Sequence, residues 1–461
     1  MFSVQTYINR QKELLQKVNS GIILITGNEE SPMNYTDNPY HFRQDSTFLY
    51  YFGLKRPGLI ALLDTANAQV SIYGDDFTID DIVWMGTQST IGDLAELCGV
   101  EHTGSYKDLF QRVGLSIKQK TPVHFLPQYR SKNILKLMEL TGFSAQEIQS
   151  NASVELIKAV ASQRIYKSAE ELVEIEKGVD ITVDMHTTAM RMLQPGMSEL
   201  DVVVEIEKIA RASGGEISFP TIATINGQTL HNHYHGNIVK EGQLFLLDCG
   251  AETPMGYAGD LSSTFPVGKE FSNLQKDIYN IVLKAHYASV EALKPKNTYK
   301  EVHRAACLTI AQGLKEMGLM RGDVEAAVND GAHALFFPCG TGHLMGLDIH
   351  DMENFGEEYV GYDNEAKSTQ FGLKSLRLGR ALEPDYVVTI EPGIYFIPEL
   401  IDLWKSEGKF KEYLNYQEIE KFRNFGGIRN EEDYLITNDG KRLLGTKKKP
   451  MLIEEVEALR K

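Results

Sequence analysis

LFLLDCGAETPMGYAGDLSSTFPV, residues 244–267, decides how the chain is read, because it sets aspartates into apolar surroundings. QLFLLDCG has the short apolar run of a strand, and Asp248 closes the run LFLLD. Twelve residues on, Asp260 interrupts YAGDLSSTFPV. An ionised carboxylate taken out of water costs several kcal/mol unless it is paired, neutralised or coordinated to a cation. For either aspartate alone, an ordinary ion pair or a strand-end cap is the competing account.

Working outward, Glu391 interrupts VVTIEPGIY, Glu431 follows GGIR before DYLIT, and His343 lies in GTGHLMGLDIHD. With Asp248 and Asp260 this makes four carboxylates and one imidazole. Oxygen-rich ligation with one nitrogen suits hard or borderline divalent ions, Mn²⁺ above all, with Co²⁺ or Zn²⁺ as alternatives. Four converging negative charges repel unless two dications sit among them. A metal pair roughly 3.5–4 Å apart can share a hydroxide and polarise a carbonyl, so hydrolysis is the implied chemistry.

The surrounding pattern gives two domains. Val4, Ile8, Leu14, Leu15 and Val18 fall at helical spacing, and GIILIT, STFLYYFG, GLIALLD, QVSIYG and PVHFLP read as short strands, an α/β unit. Two long helical patterns follow, SAEELVEIEKGVDITVDMHTTAMRML and SELDVVVEIEKIARAS, parted by Pro195-Gly196. Beyond them ISFPTIATI, QLFLLDCG, YVVTIEPGIYFI and GIRNEEDYLIT alternate with helical segments at 274–294 and 299–318, an α+β pattern. The boundary falls in 155–167, and the chain divides into residues 1–158 and 159–461.

The 461 residues carry 47 Lys+Arg against 63 Asp+Glu, a net charge of −16, with 42% hydrophobic residues. This is a globular composition, and the acidic balance argues against a nucleic-acid partner, which calls for clustered Lys and Arg. The run Lys447–Lys449 reads as a solvated loop. Cys98, Cys249, Cys307 and Cys339 are far apart, without a C-x-x-C pair, which fits a reducing compartment. MFSVQTYINRQKELLQKV puts polar and charged residues into every turn and lacks the apolar core of a secretory signal, and no apolar run approaches the roughly 20 residues needed to span a bilayer. A cytoplasmic protein is expected. Eight of twelve histidines (His231, His233, His235, His286, His303, His333, His343 and His350) lie between residues 231 and 350, which locates the chemistry in the second domain; His286 and His303, on helical patterns, read as structural or surface residues.

The ordered segments LLDCGAE, GYAGD, GHLMGLDIHD, TIEPGIY and GGIRNEED, with HFRQDSTFLYYFG near the N-terminus, resemble the aminopeptidase P and prolidase family of pita-bread metallopeptidases along nearly the whole chain. The resemblance implies an aminopeptidase P type N-terminal domain, serving regulation or oligomerisation, before a pita-bread catalytic domain. It further implies Asp248, Asp260, His343, Glu391 and Glu431 as ligands of two divalent metals, with Glu391 also taking the proton of the attacking water. His231 and His350 become substrate-contacting catalytic residues, His350 as a donor to the developing oxyanion. HNHYH offers His233 and His235 beside His231; Leu230-His231 and the 17-residue spacing to Asp248 match the family best.

By the same resemblance, Arg377 in GLKSLRLGRALEP matches the arginine with which prolidases bind a dipeptide's terminal carboxylate, against a structural ion pair as the alternative. Arg429 matches an active-site arginine, with orientation of a ligand carboxylate as its other role. The implied activity is cleavage of the bond before proline in short peptides by an Xaa-Pro aminopeptidase, with prolidase as the alternative and a lapsed pita-bread binding protein behind it. The enzyme is expected to be a homodimer or homotetramer. Departures from the family pattern are Cys339 before GTGH, where histidine is usual, Ser262-Ser263 after Asp260, and Asn430. Cys339 is open to three roles: loss of a substrate donor, a soft ligand, or a packed thiol.

Overall fold

The computed structural model describes residues 1–461, which form two compact units: Met1–Arg164 with Met352–Val360, and Ile165–Asp351 with Gly361–Lys461. In the first, five strands lie in the spatial order His102–Gly104, Gln69–Tyr73, Ile60–Asp64, Ile22–Thr26, Val123–Phe125. Ile22–Thr26 is antiparallel to Ile60–Asp64, with Leu24 opposite Leu62, and parallel to Val123–Phe125. Both central strands are buried at every position, which is why they read as unbroken apolar runs instead of alternating ones.

STFLYYF, expected to be a strand, is the helix Ser46–Phe52. Asp45 Oδ1 accepts the backbone N–H groups of Thr47 and Phe48 at 2.9 and 3.0 Å, and Gly53 closes the helix in the left-handed region at φ 66°. All seven residues are buried, so no polar face marks the helical period.

The second unit mixes helices with small sheets. Helices Ala169–Met192 and Glu199–Ala212 each open with a capping box, Ser168 with Glu171 and Ser198 with Asp201. Helices Asn273–Ala292 and Tyr299–Glu316 follow the expected 274–294 and 299–318. One sheet has the order Leu261–Pro266, Leu244–Cys249, Ile222–Thr224. A second has the order Val387–Ile390, Glu432–Ile436, Lys441–Leu443, and Gly393–Tyr395 pairs with Gly427–Arg429. YVVTIEPGIYFI and GIRNEEDYLIT are thus each two strands, broken at Glu391-Pro392 and at Asn430-Glu431.

Candidate active site

The opening hairpin places two carboxylates. Asp248 is the fifth residue of Leu244–Cys249 and pairs across the sheet with Ser262 on one side and Ile222 on the other. Asp260 directly precedes Leu261–Pro266. Gly250 and Gly259 let the two chains cross between the aspartates, since a Cβ on Gly250 would lie 2.0 Å from the Gly259 carbonyl oxygen.

The second sheet places the other acidic pair. Ile390 is opposite Glu432, so the neighbouring Glu391 and Glu431 emerge at the same end of one antiparallel pair. Backbone bonds tie this end to the GTGH segment: Thr389 N donates to His343 O at 3.0 Å and Glu391 N to Thr341 O at 2.7 Å. His343 Nδ1 lies 3.0 Å from Leu344 O, an acceptor that requires the proton on Nδ1 and leaves Nε2 unprotonated. Nε2 is 3.4 Å from Asp260 Oδ2 and 3.6 Å from Glu391 Oε1. Ligand atoms of Asp260, His343 and Glu431 lie within 4.8 Å of one another.

Electrostatics says what this cluster lacks. The Asp260 and Glu431 carboxyls are pushed well above the ordinary carboxylate range, first by burial and then by neighbouring charge, that of Asp248, Asp433 and Glu391 on Asp260 and that of Asp260, Glu391, Asp248 and Asp433 on Glu431. Burial also raises Glu391, against the opposing charges of His343 and Arg429. Glu431 Oε1 and Asp433 Oδ1 are buried without a hydrogen-bond partner. Orphaned carboxylate oxygens beside an imidazole whose Nε2 carries no proton fit divalent cations.

Arg429 is the cation within the cluster, and its 3% exposure means that its partners must be protein groups. Nη2 donates to Asp248 Oδ2 at 2.5 Å, Nε to Ser262 Oγ at 3.0 Å, and Nη1 to Tyr395 Oη at 3.0 Å. Ser262 Oγ donates in turn to Glu431 Oε2 at 2.8 Å. The guanidinium fork therefore fixes one carboxylate directly and another through a hydroxyl.

A cavity of about 500 Å³ opens onto the cluster, and every site residue anticipated from the sequence lines it: Asp248, Asp260, His343, Glu391 and Glu431, then His231, His350, Arg377 and Arg429. The His350 ring sits edge-on to His343, centroids 4.3 Å apart. Burial and the Arg429 charge hold the His231 imidazole below its ordinary value. Of its neighbours, His233 also lines the cavity, whereas His235 Nε2 turns to Thr221 O at 3.1 Å. Cys339 stands in the wall, its thiol pushed up to about 12 by burial and by Glu391.

Four residues of this neighbourhood escaped the sequence reading: Ser262 as a linking hydroxyl, Tyr395, Asp433, whose Oδ2 accepts the Asp260 N–H at 3.0 Å, and Lys449. Adjacent hydroxyls in the fully buried strand LSSTFP were the available signal for Ser262. Lys449 is a correction: it is no solvated loop residue but is buried, donating to Ser262 O at 2.9 Å. Burial pulls its ammonium down to about 8, against the attraction of Glu432, Glu431 and Asp433. His286 is buried against Glu432 and Tyr434, at 3.1 and 3.2 Å, a structural role.

Residues 173–438 match the family model of Metallopeptidase family M24, and residues 7–124 that of Aminopeptidase P, N-terminal domain. The chain is 30% identical to a human Xaa-Pro dipeptidase, covering 98% of this chain and 92% of that protein. It is 28% identical to an Xaa-Pro aminopeptidase of Escherichia coli K12, covering 99% and 98%. Among solved structures, Zn-substituted E. coli aminopeptidase P in complex with product superposes with a TM-score of 0.81 at 27% identity, covering 100% of this chain and 98% of that one. An aminopeptidase PepP of Pseudomonas aeruginosa gives 0.81 at 25% identity, with coverage of 100% and 98%. Spanning more than half of the sequence and carrying the carboxylate and imidazole cluster just described, the match establishes that the chain belongs to metallopeptidase family M24, with an aminopeptidase P type N-terminal domain before a pita-bread catalytic domain.

Proposed function

We propose that the chain is a metallo-exopeptidase that hydrolyses the bond preceding proline and releases the N-terminal residue of Xaa-Pro peptides. The observation that carries this reading is a single cavity lined by four carboxylates, His343, three further imidazoles and Arg377. In it Asp248, Asp260, His343, Glu391 and Glu431 would hold two divalent ions, Mn²⁺ by their donor chemistry. When bound, these ions supply the Lewis acid for the scissile carbonyl and acidify the attacking water.

The chain's own residues do the rest. Glu391 takes a proton from the water and passes it to the proline nitrogen as the bond breaks. His350 and His231 donate to the carbonyl oxygen as it becomes tetrahedral. Arg429 keeps Asp248 and, through Ser262, Glu431 in position. Proline is selected because its amide lacks an N–H, so general peptidases handle it poorly and a shaped pocket can prefer it.

Arg377 in the cavity wall favours one second reading, a dipeptidase in which its fork binds the terminal carboxylate. Hydrolysis of Gly-Pro and of an Xaa-Pro-Xaa tripeptide after Mn²⁺ loading separates the two. Tripeptide cleavage assigns an aminopeptidase, dipeptide-only cleavage lost in Arg377→Ala assigns a dipeptidase, and metal-independent or absent cleavage overturns both. The four cysteines are all free, which supports a cytoplasmic location, and no helix is long and apolar enough to cross a membrane. In this reading residues 1–158 serve regulation or assembly, and the working enzyme is a homodimer or homotetramer.

A further inference from the structure

Away from the acidic cluster, His303, Cys307 and His333 bring an imidazole nitrogen, a thiol sulfur and a second imidazole nitrogen within 4.8 Å of one another, all three residues buried. His303 and Cys307 are four residues apart on helix Tyr299–Glu316, hence on one face, and His333 comes from the short turn Ala332–Leu335 that follows the left-handed Gly331. His303 Nδ1 lies 2.8 Å from Thr341 Oγ1, and its Nε2 faces Cys307 Sγ at 3.3 Å. His333 is 1% exposed, and neither of its ring nitrogens has a hydrogen-bond partner. An imidazole buried with both nitrogens unsatisfied calls for a ligand.

We propose that His303, Cys307 and His333 form a mononuclear zinc site, distinct in residues and in chemistry from the carboxylate cluster. One thiolate and two imidazoles are a soft-to-borderline donor set that suits Zn²⁺ and not the Mn²⁺ favoured by carboxylate oxygens. Tetrahedral Zn–N and Zn–S bonds of about 2.0 and 2.3 Å put a nitrogen and a sulfur donor roughly 3.5 Å apart, close to the 3.3 Å between His303 Nε2 and Cys307 Sγ. As the S–Zn bond forms, the thiol proton leaves to solvent. The three residues line a cavity of about 400 Å³, which leaves a fourth position for water or a small ligand. Both imidazoles are held neutral by burial, His303 near 3 and His333 near 4, so their lone pairs are available. Thr341 joins the site to the catalytic segment: its hydroxyl meets His303 while its carbonyl accepts the Glu391 N–H.

The test is a Co²⁺ titration of the full-length protein after saturation with Mn²⁺. Oxygen-rich ligation produces no thiolate-to-cobalt charge-transfer absorption, so that band reports a sulfur ligand wherever else cobalt binds. The expected result is a near-ultraviolet band that saturates at one equivalent, disappears in Cys307→Ser and in His333→Asn, survives in Cys339→Ser, and is abolished by equimolar Zn²⁺. No band in the unaltered protein overturns the site, a result that does not depend on any variant folding. A band that survives Cys307→Ser and vanishes in Cys339→Ser assigns the sulfur to the catalytic cavity and overturns it as well. Failure of Zn²⁺ to displace Co²⁺ overturns the choice of metal.

Discussion

The Ser262 hydroxyl donates to Glu431 Oε2 at 2.8 Å while accepting from Arg429 Nε at 3.0 Å, so one serine links the buried cation to a buried carboxylate of the acidic cluster. Polar groups that orient metal ligands commonly contribute 10–100-fold to metal affinity or activity, and Ser262 occupies such a place. Ser262→Ala is expected to raise the Mn²⁺ concentration needed for half-maximal hydrolysis by about 10-fold or more. Activity against Mn²⁺ concentration checks this, and an unchanged midpoint would remove Ser262 from the account.

Lys167 Nζ and Asp351 Oδ2 form an ion pair of 2.8 Å in which each side chain is 1% exposed, directly after His350 in sequence. Removing one partner takes away the opposite charge that sits 2.8 Å from a buried ion. Lys167→Met is therefore expected to cost about 3–5 kcal/mol, whereas the double change Lys167→Met with Asp351→Leu recovers most of that loss. Denaturant unfolding of the two single variants and the double variant closes the cycle. Additive losses would mean that the pair contributes no coupling.

Stability of the metal-free protein is expected to fall as pH rises above the ordinary carboxylate range, because Asp260 and Glu431 keep protons in the folded state that the unfolded chain releases near the ordinary carboxylate value. Groups whose folded pKa is raised stabilise below their unfolded pKa and lose that contribution as pH passes through the folded one. Mn²⁺ replaces those protons, so its stabilising effect should be larger at the higher pH. Thermal unfolding of chelator-treated and Mn²⁺-loaded protein across this range gives the answer, and a metal effect that shrinks with pH would contradict it.

The acidic cluster was legible because a carboxylate inside an apolar run is costly, and Asp248, Glu391 and Glu431 all break such runs. The segments of the catalytic unit were legible for the same kind of reason: capping serines and the Pro195-Gly196 break bracket its first two helices. STFLYYF misled because a helix buried on all sides has neither the period of two nor that of 3.6, and its two end signals are single residues, Asp45 and Gly53. Lys449 misled because its flanking lysines, Lys447 and Lys448, are exposed, and nothing in a three-lysine run tells which ammonium is drawn under the sheet toward Ser262 O. His303 and His333 were passed over for a different reason: thirty residues part them, and their meeting at Cys307 is a property of tertiary packing alone.

Whether one oxygen-rich cluster both holds the metals and performs the hydrolysis is decided by measuring bound Mn²⁺ and cleavage of an Xaa-Pro peptide on the same samples of the unaltered protein and of Asp260→Asn. Two Mn²⁺ ions per chain and metal-dependent cleavage are expected in the unaltered protein, with metal content and cleavage lost together in the variant. Full cleavage by Asp260→Asn, or cleavage that persists after the metal has been removed, would contradict that expectation.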